Sequence, residues 1–499
     1  MKKYSVFSSL LLCIACLATS AVACSSDGPE EPKKPDTPVT PDKPDVPEED
    51  GKFGLKPNEV NAYFEGRIKE TSPKYEVSGK LTTENITAAS EYVWGLWKQA
   101  VSTAETEKLP APATISVSWA DKAPVHFSWK VGSESMNSTY ALKGTKPAAG
   151  YPMFIFLHGS DEDAYMEWTN ILYLIDVTVT GKNLIPSSFI VPKSPKGATN
   201  CRWFPPTRQK YWERAIRQAL VGGQTDPNKI YFTGISEGAY GSQRLASFYA
   251  DYLAGVSPIS GGDQLFNAPA ENLANVFYRS VNGSEDTMYG RYLLTNKAKD
   301  ELDRLEKAHP GHYKHSFKML SGVGHFEWKY MNDYNPVPDL VKQTRNPLPK
   351  YFYWENFGMG GQLGEGYRYR EGFYNLLVLE PSSERNDNLV RDCYEMTING
   401  NTIDLNVNTV KVTPTESVKD TYWEMQIGVE KSFTQATKGK VRIYLNGKLV
   451  DLSKPVVVKV NGVEKFNGTV TPDTRWLVES CGIFFDPERI FPAAVDVTI

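Results

Sequence analysis

Apolar residues in the middle of the chain follow two patterns, and segments of the two kinds alternate along the sequence. In the first, nearly every position is apolar, as in strands buried on both faces of a parallel sheet. Such runs cover residues 151–160, 187–195 and 229–236. In the second, apolar residues recur every three or four positions, which predicts helices over 208–223 and 291–311. Strands that alternate with helices predict an α/β domain with a mostly parallel sheet, which we assign to residues 149–371.

The pattern changes on both sides of this domain. Residues 52–148 contain alternating strand-like stretches and one helical repeat that begins after Thr83, so we expect a β-rich N-terminal segment with one helix. Residues 372–499 are rich in β-branched side chains and are interrupted by Asn-Gly pairs, a strong signal for hairpin turns. The pairs stand at 446–447, 461–462 and 467–468. We therefore expect an all-β C-terminal domain.

Residues 1–24 have the organisation of a signal peptide. Two lysines near the start precede a mostly apolar run over 6–18, which is too short for a comfortable membrane span. The sequence Ala-Val-Ala before Cys24 resembles a bacterial lipobox, in which small residues permit cleavage before a cysteine that then carries lipid. The alternative is an ordinary signal peptide with an incidental cysteine. We expect Cys24 to anchor the chain to the outer membrane, on its surface or its periplasmic face.

A proline-rich linker is expected over residues 25–51. Prolines occupy every third position from Pro29 to Pro47, which matches the three residues per turn of polyproline II. Such a segment is a stiff, solvated spacer of roughly 80 Å at about 3.1 Å per residue. It would hold the folded part of the chain away from a membrane.

Charge and cysteine content exclude several classes of function. The net charge is −4 and no basic block occurs, so we expect no nucleic-acid partner. Beyond the predicted lipidated residue, Cys201, Cys393 and Cys481 allow at most one disulfide and lack metal-type spacing. We therefore expect neither a metal nor another cofactor. Aromatic residues make up 12% of the chain, a content that suits sugar-binding surfaces as well as tightly packed cores.

The pentapeptide GISEG at 234–238 carries a candidate nucleophile, Ser236. A predicted strand precedes it and a predicted helix over 237–253 follows it. A strand–turn–helix corner of this kind presents the serine hydroxyl at the edge of the sheet. Glycines on both sides of the serine avoid crowding in the turn. A hydroxyl is a poor nucleophile alone, so it requires a base and an acid that orients the base.

Candidates for both partners occur later in the chain. Of six histidines, His325 follows a predicted strand and lies in the loop sequence SGVGHFEW, so we assign it as the base. Asp286 follows the preceding strand in VNGSEDTM and is assigned as the acid, with Glu285 as the neighbouring alternative. The order Ser, Asp, His is that expected of an α/β-hydrolase. A loop histidine hydrogen-bonded to the backbone and a charged turn are the corresponding non-catalytic interpretations.

An oxyanion hole is expected from two backbone N–H groups. One belongs to Glu237, directly after the nucleophile, and the other to Gly159 or Ser160 in the loop after the first apolar strand. His158 is expected to order this loop. The carboxylate of Glu237 would disfavour anionic substrates unless it points away.

Four stretches of the sequence resemble the α/β-hydrolases over roughly residues 150–335. They are FIFLHGS, TDPNKIYFTGISEGAYG, VNGSEDTM and GVGHFEW. The resemblance is closest to secreted esterases, which include feruloyl and acetyl-xylan esterases, polyhydroxybutyrate-depolymerase-like proteins and predicted peptidases. It implies a catalytic triad at Ser236, Asp286 and His325. The C-terminal region is similar to a β-domain appended to such hydrolases. One departure is Asn282, where many relatives have histidine before the glycine of the acid loop.

A lipid-anchored, aromatic-rich chain resembles the surface lipoproteins of Gram-negative glycan degraders. This implies an ester on a polysaccharide as substrate, either an O-acetyl group or a uronate methyl ester. Arg202 and Trp203, in the loop before the nucleophile strand, could bind a carboxylated sugar, and Trp328 could line the pocket. A solvated loop with one buried tryptophan is an equally good interpretation of that loop. A secreted serine peptidase and a non-catalytic glycan-binding lipoprotein are the alternative functions.

Overall fold

The structure is a computed structural model. It describes residues 51–111, 113–115, 125–132, 134–160, 185–194, 203–360, 366–385, 388–419 and 424–499. The predicted signal peptide, Cys24, nearly all of the proline-rich linker, Cys201 and Arg202 lie outside these ranges. Among the described helices, none is long and apolar enough to cross a membrane.

The described part of the chain contains the following elements. The helices are α1 Pro57–Ile68, α2 Ile86–Ala104, α3 Pro206–Val221, α4 Glu237–Phe248, α5 Arg291–Ala308, α6 Met331–Tyr334, α7 Val337–Leu340 and α8 Thr474–Phe484. The first strands are β1 Ala113–Ile115, β2 Val125–Val131, β3 Glu134–Lys143, β4 Tyr151–Leu157, β5 Ser187–Pro192, β6 Thr225–Ile235, β7 Gly255–Ile259, β8 Phe277–Gly283 and β9 His315–Leu320. The remaining strands are β10 Tyr351–Asn356, β11 Met359–Gly360, β12 Tyr367–Arg368, β13 Gly372–Phe373, β14 Leu376–Glu380, β15 Val390–Asn399, β16 Thr402–Lys419, β17 Glu424–Gln435, β18 Lys440–Leu445, β19 Val456–Val460, β20 Val463–Gly468 and β21 Ala493–Thr498.

Nine strands form the main sheet, in the order β1-β3-β5-β4-β6-β7-β8-β9, with β2 paired to β3. Strands β4 to β9 run parallel, and β3 joins β5 in antiparallel orientation. Every residue of β4 and β5 is buried, because helices or loops cover both faces of the sheet. The predicted α/β fold class with a mostly parallel sheet is confirmed.

Strand β4 lies between β5 and β6, so the chain leaves β4 toward one side and later returns to its other side. Loops after neighbouring strands diverge at such a point and leave a crevice at the carboxyl ends of the strands, where α/β proteins bind ligands. Gly159 follows β4 and Ser236 follows β6. The topology therefore brings the predicted oxyanion loop and the candidate nucleophile to the same end of the sheet.

The described part of the N-terminal segment contains two α-helices, whereas the sequence pattern predicted one. Helix α1 has a weak apolar stripe, and its Val60 and Phe64 are buried against α2 and α8. Strands β1 to β3 of this segment extend the main sheet. The segment therefore shares its hydrophobic core with the α/β domain and with helix α8.

Two sheets include the described strands of the C-terminal region, and they are antiparallel except where β16 and β19 pair in parallel. The region also contains helix α8, which the sequence pattern did not predict. One sheet has the order β10-β15-β16-β19-β20, with β17 paired to β16, and the other has the order β13-β14-β18-β21. Asn461 and Gly462 join β19 to β20 with φ values of 50° and 79°, as a two-residue type I′ turn requires. The other two Asn-Gly pairs do not join paired strands as two-residue loops.

Candidate active site

Ser236 occupies a sharp corner between β6 and α4. Its φ is 58° and its ψ is −118°, a conformation that residues other than glycine rarely adopt. The Ser236 N–H donates to the Ile259 carbonyl at 2.9 Å, and the Ala239 N–H donates to the Ser236 carbonyl at 2.9 Å. Strain of this kind costs on the order of 1–3 kcal/mol and persists where the surrounding structure enforces it, often at functional sites.

The two glycines of the pentapeptide are required by close backbone contacts. A β-carbon built on Gly234 would lie 2.2 Å from the Gly238 carbonyl oxygen. One built on Gly238 would lie 2.0 Å from the Leu157 carbonyl oxygen, at the end of β4. Any side chain at these positions would force the corner away from the neighbouring strand.

Ser236, His325 and Asp286 form a continuous hydrogen-bonded chain. His325 Nε2 lies 3.0 Å from Ser236 Oγ, and His325 Nδ1 lies 2.9 Å from Asp286 Oδ2. Because a carboxylate only accepts hydrogen bonds, Nδ1 carries the proton and donates it to Asp286. Nε2 is then left to accept the hydroxyl proton of Ser236. This arrangement has the geometry of a serine nucleophile with its base and orienting acid.

The two neighbouring carboxylates of the acid loop differ in environment. The side chain of Asp286 is 1% exposed, whereas Glu285 is on the surface. The second oxygen of Asp286, Oδ1, accepts from Arg291 Nη1 at 3.0 Å. Both oxygens of this buried carboxylate are therefore held by cationic or imidazole donors, and the geometry favours Asp286 over Glu285.

Asn282, which stands where many of the similar hydrolases have histidine, has structural contacts. It is fully buried at the end of β8, where its amide nitrogen donates to Thr295 Oγ1 of α5 at 2.9 Å. Its carbonyl oxygen accepts from the Gly283 N–H at 3.0 Å. Asn282 therefore joins the start of the loop that carries Asp286 to helix α5. Neither of its two hydrogen bonds involves Ser236 or His325.

The loop after β4 lies directly against the candidate nucleophile. A β-carbon on Gly159 would lie 3.2 Å from Ser236 Cβ and 3.7 Å from Ser236 Oγ. Glu237 is the first residue of α4, and helix N-termini present N–H groups and partial positive charge to anions. Gly159 and the N-terminus of α4 at Glu237 therefore lie beside Ser236, and Ser160 follows Gly159 in the same loop.

His158 holds this loop through both ring nitrogens. The Ser194 N–H, after β5, donates to His158 Nε2 at 3.0 Å, so Nδ1 carries the proton and donates to the Gly159 carbonyl at 2.7 Å. In a trans peptide the carbonyl and the next N–H point in opposite directions. By holding the Gly159 carbonyl, His158 also fixes the direction of the Ser160 N–H.

The three residues predicted to bind substrate have different positions. Trp203 is fully buried, and its ring packs against Gly241 of α4 and edge-on against His158. Its assignment to the substrate-binding surface is therefore corrected: the ring is part of the core beneath the site. Arg202 lies outside the described residues. Trp328 is 58% exposed and packs edge-on against Phe326, in the same loop as His325.

Two features of the site were not evident from the sequence. Arg291, which donates to Asp286, lies five residues after it in the chain and is the first residue of helix α5. A charged residue at the start of a helix is common on protein surfaces, so the sequence did not mark it as part of the site. Tyr240 of α4 donates its hydroxyl to the Tyr289 carbonyl at 2.9 Å and so ties the acid loop to the nucleophile helix. Neither residue carries a local pattern that distinguishes it from an ordinary helix residue.

A cavity of about 560 Å³ lies elsewhere, between α1, α3 and the strands after β10. None of Ser236, Asp286 and His325 lines it. Its cationic side chains are matched by carboxylates, as in the pairs Arg368–Glu213 and Arg217–Glu105. Within the described ranges, no group of histidine, cysteine or carboxylate side chains could hold a metal ion.

The strained serine corner follows a central parallel strand, and the loop after the neighbouring strand lies against it. The aspartate and the histidine that complete the hydrogen-bonded chain follow later strands. The chain has the α/β-hydrolase fold. No protein-family model matches the sequence, and no curated protein matches it.

Several solved structures are similar to part of the chain. A thermostable esterase matches with 18% identity and a TM-score of 0.37 over 44% of this chain and 63% of that one, less than two thirds of its length. A ferulic acid esterase matches with 14% identity and a TM-score of 0.33 over 44% of this chain and 98% of that one. A feruloyl esterase module from Clostridium thermocellum, in complex with sinapinate, matches with 15% identity and a TM-score of 0.33 over 48% and 96%. At such identities and scores these likenesses carry no conclusion about activity.

Proposed function

We propose that the chain is a serine carboxylic-ester hydrolase that removes ester groups from a polysaccharide. The observation that carries this proposal is the hydrogen-bonded chain from Ser236 through His325 to Asp286 at a strained corner. A serine in a glycine-rich turn without catalytic function would need neither the strain nor the buried carboxylate behind the histidine.

The mechanism follows from the positions of these groups. His325 Nε2 takes the hydroxyl proton as Ser236 Oγ attacks the ester carbonyl carbon, and the buried Asp286 carboxylate stabilises the imidazolium that forms. The carbonyl oxygen gains negative charge and is stabilised by the N–H groups of Glu237 and of Gly159 or Ser160. His325 then donates its proton to the leaving alcohol, and it later activates a water that releases the acyl group from Ser236.

A polysaccharide substrate is supported by two exposed side chains in the loop that carries the proposed base. The His325 side chain is 40% exposed. Trp328 presents a half-exposed ring in the same loop, held by Phe326, whose ring stacks on buried Tyr334 at 4.8 Å. An exposed aromatic ring three residues after the proposed catalytic histidine suits stacking on a sugar. The predicted lipid anchor and spacer would place this site at the cell envelope, where polysaccharides are met.

Both predicted ester types remain part of the proposal. With an O-acetyl ester, the sugar is the leaving alcohol and acetate is released from Ser236. With a uronate methyl ester, the sugar is the acyl group and methanol leaves first. The two substrates differ in the side of the ester on which the sugar lies, so the released product identifies the orientation.

The test is the release of acetate and methanol, followed by NMR, from acetylated xylan and from methylated pectin. Protein that lacks residues 1–24 is compared with its Ser236→Ala variant and with Ser316→Ala, a matched change of an exposed serine on β9. We expect one product from the wild type and from Ser316→Ala, and none from Ser236→Ala. If a small generic ester is cleaved but neither polysaccharide is, the polysaccharide substrate is wrong and peptides are the next substrates to test. Cleavage that survives Ser236→Ala would contradict the mechanism.

A further inference from the structure

We infer that a β-ribbon of the C-terminal region positions Asp286, the proposed catalytic acid, so that this region contributes to the geometry of the active site. The ribbon consists of residues 413–419 of β16 and 424–430 of β17. The inference rests on the proposed function, because it assumes that Asp286 acts through His325.

The ribbon extends beyond the sheet to which it belongs. Strand β16 pairs with β15 only as far as Lys411, opposite Val390. From Thr413 to Lys419, its pairing partner is β17, from Glu430 to Glu424. A two-stranded ribbon without further packing is marginally stable in water. Its order therefore depends on the surface against which it lies.

That surface is the segment directly after Asp286. Residues 288–290 and helix α5 contact β17. Gly290 has a φ of 64°, and a β-carbon built on it would lie 2.9 Å from Met425 Sδ and 3.8 Å from Ile427 Cγ2. Ile427 is only 2% exposed, so its side chain is enclosed by this contact. The ribbon thus covers a left-handed glycine that has no room for a side chain.

The covered segment in turn holds Asp286. Arg291, the residue after Gly290, donates from Nη1 to Asp286 Oδ1 at 3.0 Å, and its guanidinium lies over the Tyr289 ring at 4.8 Å. The Tyr292 N–H donates to the Asp286 carbonyl at 2.9 Å. A shift of residues 289–292 would therefore move the carboxylate relative to the imidazole.

The contacts of the ribbon with this segment are mainly apolar. Among the described residues, one ion pair joins the ribbon to α5: Lys297 Nζ lies 2.5 Å from a carboxylate oxygen of Glu416. Both side chains are exposed, so the pair contributes little to stability. Met425 and Ile427 are uncharged, so their truncation changes no charge near the site. The charged or titratable side chains that the structure places against Asp286 are His325, Arg291 and Tyr334.

The test compares three variants of the chain without residues 1–24. Met425→Ala/Ile427→Ala removes the ribbon contact, and Met425→Leu/Ile427→Leu retains its volume. Phe433→Ala is the matched control, because Phe433 is a 52% exposed apolar residue of β17 outside the ribbon. The thermal unfolding midpoint of each variant is measured, and rates are taken well below it.

The first readout is the rate at which a fluorophosphonate labels Ser236 Oγ, with loss of fluoride. We expect a roughly tenfold lower rate for the alanine double variant, because small misplacements of catalytic groups are costly. The volume-retaining variant and Phe433→Ala should behave as the wild type. An unchanged labelling rate in the alanine double variant would overturn the inference.

The second readout is independent of reactivity. The proton between His325 Nδ1 and Asp286 should give a low-field ¹H resonance, assigned by its loss in His325→Gln. We expect the resonance to broaden or to move upfield in the alanine double variant alone, and an unchanged resonance contradicts the inference. If the wild type is not labelled by the fluorophosphonate, the proposed function fails, whereas the resonance still tests the ribbon.

Discussion

At the scale of single residues, the adjacent carboxylates Glu285 and Asp286 differ in their burial and in their hydrogen-bond partners. Asp286 is buried between His325 and Arg291, whereas Glu285 is on the surface. We expect Asp286→Asn to lower kcat on a small ester by roughly three orders of magnitude or more, because an amide no longer stabilises the imidazolium or selects its tautomer. KM should change little, since the carboxylate does not contact substrate.

Glu285→Gln is the matched control for this prediction. It makes the same chemical change one residue earlier, and we expect kcat within about twofold of the wild type, because the exposed Glu285 side chain is not part of the hydrogen-bonded chain from Ser236 to Asp286. Steady-state kinetics on both variants, with circular dichroism to verify folding, decide the assignment. A larger loss for Glu285→Gln than for Asp286→Asn would exchange the two roles.

The sequence identified residues whose chemistry is tied to local order along the chain. Ser236 lies in a five-residue motif, and His325 is set apart from the other histidines by its place after a strand. Arg291 and Trp203 were beyond this reasoning, because their roles depend on which side chains meet in space. Trp203 is buried where Gly241 leaves room for its ring, and nothing in the sequence around it distinguishes that from an exposed loop position.

At the level of elements, His158 links the ends of β4 and β5. It accepts from the Ser194 N–H and donates to the Gly159 carbonyl, and so orders the loop that carries one of the proposed oxyanion donors. We expect His158→Phe to lower kcat on a small ester by about 10²-fold, the lower range for loss of an oxyanion-hole donor. The unfolding free energy should fall by about 1–3 kcal/mol, because a buried donor and a buried acceptor lose their partner.

His126→Phe provides the comparison, since His126 lies on β2 at the margin of the same sheet with its ring bonded to Thr139. Urea unfolding and steady-state kinetics are measured for both variants. A stability loss in His158→Phe without a change in kcat would show that His158 supports the fold but not the oxyanion hole.

Elements with strong local periodicity were predictable, and those that depend on distant partners were not. The helix predicted over 208–223 is α3, and the apolar runs are β4, β5 and β6. Helices α1 and α8 were missed because each is stabilised mainly by the other and by α2. The ribbon could not be foreseen, since its strand pairing is local but the surface that orders it lies more than a hundred residues earlier in the chain.

At the level of the whole molecule, buried ion pairs join the α/β domain to the C-terminal region. Asp251, near the end of α4, binds Arg370 and Arg489, and Asp486 binds Arg345 and Arg489. Asp251, Asp486, Arg345 and Arg489 have side chains that are 0–1% exposed. Such a network is costly to break, because removal of one partner leaves a buried charge uncompensated. The C-terminal region is therefore held to the α/β domain by charge as well as by apolar packing.

This network makes the junction sensitive to acid. Burial alone would raise the pKa of Asp486, but Arg345 and Arg489 outweigh it and lower the pKa to about 2. The pKa of Asp251 is also lowered, since Arg370 and Arg489 outweigh its burial. A carboxyl with a depressed pKa in the folded state stabilises the fold above its ordinary pKa of 3.8. That contribution is lost as the pH falls from about 4 to about 2.

The expected result is a decrease of the unfolding free energy by on the order of 2 kcal/mol from Asp486 alone over this interval, measured by urea unfolding at each pH. Asp486→Asn should be less stable than the wild type at pH 7, because Arg345 and Arg489 lose a buried partner, and its stability should fall less between pH 4 and pH 2. Asp451→Asn is the matched control: the pKa of Asp451 is also lowered to about 2, by hydrogen bonds from Ser453 and Lys454, but its side chain is 44% exposed. If Asp451→Asn flattened the pH dependence as much as Asp486→Asn, general surface charge, and not the buried junction, would account for the acid sensitivity.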